Sequence, residues 1–475
     1  MRLRAVLALA LACLMASPHP VLASDERELG RRFYLEAIGQ LPLVHDPALT
    51  TYVEGVGQKL VAALGPQPFD YHFFVVAHPL VNAFAVPGGY VFVFSGLLAR
   101  VHTDDELAGV LAHEIAHAHA HHISRMQVAG AAWNAAALAG LLLSAINPVL
   151  GAGAIAAAQT AQLKYSRDFE READLLGLRY ASEAGFDPHA LGTFFKELLV
   201  EQRLTPMPPA YMLSHPVTQE RIANVESIIS AEQLAPPKDR PAAGLLLPEV
   251  RAVCRAIADP TDVVVADYKR EADKHPDDAG AQFLLGRVYQ TVGQLDAARQ
   301  ALERARSLGG LAGRVDRPLG GVYLELNRAE GARAALERHL TRDPEDGFAR
   351  LELGKALAAV GDEPGAMREY RRATVLDDAL DEAHRLIGVG LGRQGKELDG
   401  YYHLALASRL RGDLEQSLVQ FMRTAELLGE ADHSPRREEV DRAIAELKPI
   451  VDERVREREE EAARRRRRGA AGLPR

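Results

Sequence analysis

The chain has 475 residues, 47% of them apolar and 25% charged, an ordinary balance for soluble globular protein and enough for roughly two or three domains. A net charge of −9 offers no broad basic surface, so a nucleic-acid partner is not expected. The two cysteines, Cys13 and Cys254, leave no disulfide in a processed chain and no cysteine-based metal site.

Residues 1–23 have the layout of a signal peptide. Arg2 and Arg4 precede the apolar run Ala5 to Ala16, and Val21-Leu22-Ala23 offers small residues for cleavage. The run is about twelve residues, too short to span a bilayer. A lipoprotein site at Cys13 is the poorer alternative, because Ala10 stands where a larger aliphatic residue is usual. Export by a cleavable leader places the protein in the periplasm of a bacterium with two membranes.

Asp25 to Leu64 reads as helical from apolar residues at helical spacing. Tyr71 to Ala77, Asn82 to Val86 and Tyr90 to Phe94 read as strands by β-branched and aromatic content. A small antiparallel sheet packed on the next helix is expected. A strand at the mouth of a site there can hold an extended peptide by edge pairing.

That next helix is Thr103 to His122. Thr103 with Glu106 predicts a capping box, and Asp104 and Asp105 suit the positive end of the dipole. Leu107, Val110, Leu111 and Ile115 predict a buried stripe. On it lies His113-Glu114-Ile115-Ala116-His117, the H-E-x-x-H pattern of zinc peptidases. Positions i and i+4 share a face, so His113 and His117 can aim two imidazoles at one metal. Glu114 leaves the helix beside them, where it can take a proton from the attacking water.

Residues 128–163 are nearly free of charge and rich in Ala, Leu and Gly. A buried helical hairpin, or a lid touching membrane transiently, is expected over a span. Lys164 to Ala181 follows. Glu170 and Asp174 are four apart on one face. Glu170 can supply a third ligand, and two histidines with one carboxylate leave a fourth position open. Asp174 can hold the outer nitrogen of a ligand histidine. Taken alone, the segment would read as a solvated charged face, since Arg167, Asp168, Arg171 and Glu172 accompany these residues.

His113 to His117 followed by Glu170-Arg171-Glu172-Ala173-Asp174-Leu175-Leu176-Gly177 resembles the zinc peptidase family of the CAAX prenyl protease and HtpX. Asn82-Ala83-Phe84, Pro87-Gly88-Gly89 and Gly96-Leu97-Leu98 are similar to that family's sheet segment, and Ser214-His215-Pro216 with Arg221 to its later segment. The resemblance runs from about Glu26 to Ile229. It implies a zincin-like α+β fold, one zinc per chain held by His113, His117 and Glu170, Glu114 as general base, and a supporting or proton-donating Asp174. His122 also matches a family histidine; His119 and His121 do not. His215 and Arg221 are candidate site residues. His215 would either stabilise an oxyanion or take the fourth zinc position and close it.

Gln233 to Pro248 is proline-rich, so a linker is expected over 233–261. From Val263 a period of 34 carries Leu285-Gly286, Leu319-Gly320, Leu353-Gly354 and Ile387-Gly388, the tetratricopeptide pattern of helix pairs. Leu404-Ala405, Gly412 and Phe421 read as a pair half a repeat out of step. The expected chain is thus mainly α: a peptidase domain over 24–232, a repeat solenoid over 262–430, and a charged helix with a basic tail, Arg464 to Arg468, within 431–475. A leader plus C-terminal repeats resembles the family's periplasmic branch. That implies polypeptide substrates, notably misfolded or stalled outer-membrane proteins, and docking of the assembly machinery on the repeats. The competing expectation is a chaperone or adaptor whose metal site is mostly shut.

Overall fold

A computed structural model describes residues 23–39, 41–128, 163–204, 208–237, 246–311 and 313–471. The leader and nearly all of the 128–163 segment therefore lie outside the described residues. Two compact units, residues 1–315 and 316–475, make up the chain.

In the first unit, α1 (Ala23–Ala37) and α2 (Pro47–Ala63) are separate helices. The break is marked by Asp46, whose carboxylate caps α2 through Ala48 N–H, and by Pro47, which suits a first helical position. Strands β1 (His72–Val76), β2 (Ala83–Val86) and β3 (Tyr90–Phe94) form a sheet in the order β1-β3-β2. The sheet is mixed, correcting the antiparallel expectation. β2 and β3 make a hairpin, but β1 pairs parallel to β3. The connection after β1 carries the chain past the centre of the sheet, and β3 returns into the gap.

Both sheet faces are covered, which explains the unbroken apolar run of β3. Val75, Ala83, Ala85, Val91 and Val93 join the core of the peptidase helix; Val76, Val86, Phe92 and Phe94 pack with Phe33 and Tyr34 of α1. Two short steps, α3 (Ser95–Leu98) and then the capping box, lead into α4 (Asp104–His119). Thr103 Oγ accepts from Glu106 N–H, and the Glu106 carboxylate accepts from His102 N–H. Leu107, Val110, Leu111 and Ile115 are all fully buried, as their spacing predicts. The rest of the peptidase segment is helical: α5 (His122–Val128), α6 (Leu163–Glu183), α7 (His189–Leu204), α8 (Ala210–Ser214) and α9 (Gln219–Ala231).

The linker expected over 233–261 contains a helix, α10 (Leu246–Ala258). Its residues Leu247, Val250, Val253 and Cys254 are buried in the same core as α2 and α4. The proline-rich run ends where this amphipathic pattern begins. Beyond it come α11 (Thr261–Lys274) and the helix pair α12 (Ala279–Thr291) and α13 (Leu295–Leu308). Arg287 of α12 is buried and clamped between Asp46 and Glu249. The first repeat is therefore tied to the peptidase core.

The second unit holds α14 (Asp316–Glu325), α15 (Ala329–Leu340), α16 (Gly347–Ala359), α17 (Glu363–Leu376), α18 (Asp381–Arg393), α19 (Glu397–Leu410), α20 (Leu414–Leu428) and α21 (Pro435–Ala471). The period of 34 is a packing device. A Cβ at Gly320 would meet Leu336 at 2.6 Å, and one at Gly354 would meet Tyr370 at 2.4 Å; the partners are themselves 34 apart. Leu404 and Ala405 do not slip out of step. They lie on α19, the second helix of the pair begun by α18, where Leu404 packs against Gly388. The basic run Arg464 to Arg468 continues α21, in keeping with the helix propensity of Glu and Arg. Among the described residues no helix is long and apolar enough to cross a membrane.

Uncovering four buried apolar side chains forfeits about 1.5–3 kcal/mol each, comparable in sum with the ~5–15 kcal/mol stability of a typical domain. A chain ended after Pro237 should therefore aggregate or melt early. One ended after Val315 should fold cooperatively in a thermal melt. Equal melting of the two would contradict the role assigned to α10.

Candidate metal centre

Four donors converge where α4, α6 and the end of α8 meet. His113, His117, Glu170 and His215 place one ligand atom each within 4.8 Å of one another. His113 Nε2 lies 3.0 Å from His117 Nε2 and 3.3 Å from His215 Nδ1. Glu170 lies 3.4 Å from His113 Nε2, 3.4 Å from His117 Nε2 and 3.0 Å from His215 Nδ1. The edge of a tetrahedron around a zinc-sized ion with N and O ligands is roughly 3.3 Å. Five measured edges match it.

Local sequence explains the convergence. The i, i+4 spacing puts His113 and His117 on one face of α4. Gly177 lets α6 close on that helix: a Cβ there would stand 3.0 Å from the backbone N of His113. Glu170, about two turns upstream on α6, then reaches the two imidazoles. His215 caps α8, its N–H donating to Tyr211 C=O at 2.8 Å.

Charge at the centre favours a cation. Burial works against ionising Glu170, yet His215 and Arg221 hold it well below the usual carboxylate range. Burial likewise opposes Asp174, and Arg221 and His113 overcome it. Burial drives His117 down to about 3, keeping its lone pair free. It also works against His113, but Asp174 and Glu170 hold that imidazole up at about 9. Two ionised carboxylates are balanced by the Arg221 guanidinium and the His113 imidazolium, so a divalent ion between the imidazoles would take the place of the His113 proton.

Asp174 Oδ1 stands 3.0 Å from His113 Nδ1, a contact that turns Nε2 toward the other donors. Arg221 is buried and fully engaged. Its Nε and Nη2 donate to Asp174 at 2.8 and 2.7 Å, and Nη1 pairs with Glu170 at 2.7 Å. It also lies over the Phe195 ring, 4.7 Å to the centroid. This geometry fixes carboxylates; it leaves no donor aimed at an oxyanion. Glu114 is buried beside the cluster, with Oε1 3.5 Å from His215 Nε2. Burial raises its carboxyl above the usual range, although His215 and His113 pull the other way. A base with a raised pKa suits proton transfer near neutrality.

A second chain of groups orients His117. His122 Nδ1 meets His117 Nδ1 at 2.9 Å, and His122 Nε2 meets Glu172 at 3.2 Å. Phe169 stacks on His122 at 4.5 Å. The sequence marks His122 only through the motif, and Glu172 is hidden in the charged face of α6. His119 bonds Gln67, and His121 pairs with the buried Glu26; neither joins the cluster.

A core helix presenting two imidazoles, with a carboxylate from a second helix and a buried glutamate between them, defines a metal-dependent hydrolase, here followed by helical repeats. Residues 47–229 are a domain of peptidase family M48, and residues 279–308 are a tetratricopeptide repeat. The chain is 35% identical over 272 residues to a putative beta-barrel assembly-enhancing protease of Vibrio cholerae, covering 55% of this chain and 56% of that one. It is 32% identical over 221 residues to the beta-barrel assembly-enhancing protease of Escherichia coli, 45% of each chain. It is 31% identical over 219 residues to the mitochondrial metalloendopeptidase OMA1 of Schizosaccharomyces pombe, 44% of this chain and 62% of that one. The chain thus spans about half the length of the first two relatives.

His117→Ala should abolish zinc binding in a metal titration. Asp174→Asn and His122→Ala, which leave all four donors in place, should each weaken it by ~10–100-fold. Full zinc retention by His117→Ala would refute the donor assignment.

Proposed function

We propose that this protein is a zinc-dependent endopeptidase with one zinc per chain, exported to the periplasm. Its polypeptide substrates include misfolded or stalled outer-membrane proteins. The observation that carries the reading is the set of four converging donors with Glu114 buried beside it. His113, His117 and Glu170 would hold the metal. Zinc, when bound, supplies a Lewis acid that polarises the scissile carbonyl and makes water a better nucleophile. Glu114 takes the proton of the attacking water and delivers it to the leaving amine. Asp174 and His122 keep the imidazoles in the tautomer that faces the metal, and Arg221 keeps both carboxylates in place.

β2 is an outer strand beside α4, a suitable edge for an extended substrate. The names of the bacterial relatives support an outer-membrane assembly role. The tetratricopeptide repeats support docking of the assembly machinery or of substrates. Contact with the membrane through residues 128–163 belongs to the same proposal.

One observation favours a gated enzyme. His215 Nδ1 stands at the fourth corner of the cage, 3.0 Å from Glu170 and 3.3 Å from His113. Seated there, it occupies the position water needs. This is also the observation behind the second reading, a repeat-based chaperone or adaptor whose metal site stays shut.

Glu114→Gln should keep zinc and lower peptide hydrolysis by ~10²–10⁴-fold. His215→Ala should keep zinc and raise hydrolysis of a loose substrate such as casein. Loss of turnover in His215→Ala with zinc retained would instead make His215 an oxyanion or proton-donating group. A cellular phenotype rescued fully by Glu114→Gln would favour the adaptor.

A further inference from the structure

The segment that carries His215 is docked on the strand edge a substrate would use. Phe94 N–H donates to Asn82 C=O at 3.0 Å, and Phe84 lies opposite Phe92. Antiparallel pairing alternates, so Asn82, Phe84 and Val86 turn their backbone groups toward β3. Val81, Ala83 and Ala85 turn theirs to the outer edge. Two of those edge groups are already claimed. Tyr211 N–H donates to Val81 C=O at 2.9 Å, and the Glu114 carboxylate accepts from the Ala85 backbone. The groups of Ala83 lie between them and are fully buried, so a peptide can pair there only once the covering segment has moved.

Tyr211 is the residue that joins this edge to His215. Its side chain is fully buried and stacks on the His215 ring, centroids 4.7 Å apart at 29°. Its carbonyl accepts the His215 N–H at 2.8 Å. Phe194 braces the tyrosine edge-on at 6.0 Å. The Tyr211 hydroxyl is buried with no hydrogen-bond partner among the described residues, so the ring and the backbone carry the connection. α8 is a single turn. A displacement at Tyr211 therefore moves His215 with it.

We propose that Tyr211 is the positioning residue that seats His215 in the metal centre, and that an extended peptide pairing along β2 unseats both by taking the carbonyl of Val81. The proposal rests on the gated-peptidase reading and names what opens the gate: the substrate backbone itself. An extended peptide offers N–H groups at the spacing of the strand edge. A folded chain offers them only along an exposed strand edge, so the gate selects unfolded or strand-exposing substrates by backbone and not by side chain.

The test uses an alanine-rich hexapeptide with its central peptide bond reduced, so that it binds without being cleaved, and residue-resolved amide hydrogen exchange on the zinc-loaded chain. Without peptide, the Tyr211 amide should be protected. Saturating peptide should slow exchange at Ala83 and speed it at Tyr211 by ~10-fold or more. Protection at Ala83 with Tyr211 still slow would overturn the coupling. No protection at Ala83 would overturn the edge reading along with it. In a parallel arm, a cleavable quenched-fluorescence peptide reports kcat/KM. Tyr211→Leu, which loses the stack, should raise it about as far as His215→Ala does, and Tyr211→Phe, which keeps the ring, should behave as the unaltered chain. A rise in His215→Ala with none in Tyr211→Leu would remove Tyr211 from the gate while leaving the gate intact. No rise in either would overturn the gated reading itself.

Discussion

One buried guanidinium holds the metal centre together. Arg221 contacts Glu170 and Asp174 at once, with 2.7 Å to each. Two carboxylates this deep in the core repel each other and lose hydration; unpaired, each would take up a proton and cease to serve. Arg221 removes that penalty and adds direction, because a planar fork can lock two carboxylates in fixed orientations. Glu170, a candidate metal ligand, and Asp174 beside His113 thus share one anchor. It comes from α9, a helix that offers none of the four converging donors. This helix packs against both α6 and α7.

The same logic recurs at the other end of the first unit. Arg287 joins Asp46, the N-cap of α2, to Glu249 on α10. Replacing Arg287 would leave the buried Glu249 carboxylate without its nearest cation, which is costlier than the pair is favourable. Such a clamp specifies one docking arrangement among many apolar ones. Hydrophobic burial by α10 supplies the driving force, and the clamp fixes the register. The first repeat is held to the peptidase core by both.

What the sequence made legible follows period. The α4 stripe, the capping box and the i, i+4 pairs His113/His117 and Glu170/Asp174 depend only on helix geometry. The 34-residue spacing depends only on repetition. The residues that stayed ambiguous lie where no period operates. His215 follows a single turn of helix, so the sequence does not choose between its two roles; only the fold sets its Nδ1 among the other donors. Arg221 sits on a helix with ordinary caps, and its partners are about fifty residues upstream. Glu172 and Tyr211 carried no signal: one was a charge among charges, the other an aromatic residue in an apolar patch. The mixed order of the sheet is not legible in the sequence, because strand content does not encode strand order. α10 was hidden by its neighbour, since a proline-rich window blurs an amphipathic pattern that starts just after it.

In the gated reading, the closed state need not be deeply stable. Its protein–protein contacts at Tyr211 and His215 are one edge hydrogen bond, one ring stack and one turn of helix, each on the order of 1 kcal/mol net. Exchanging an imidazole for water at a metal adds a further modest bias. A handful of kcal/mol is enough to keep the open form rare, because 1.4 kcal/mol is a factor of ten in population. It is also little enough for a peptide backbone to reverse, since pairing along a strand edge forms several hydrogen bonds together. A gate held by many buried side chains would be safer against leakage but deaf to substrate. A gate hung on the substrate's own edge of the sheet opens only when something extended competes for that edge, and so the strand that would position the peptide would also decide when Glu114 can act on it.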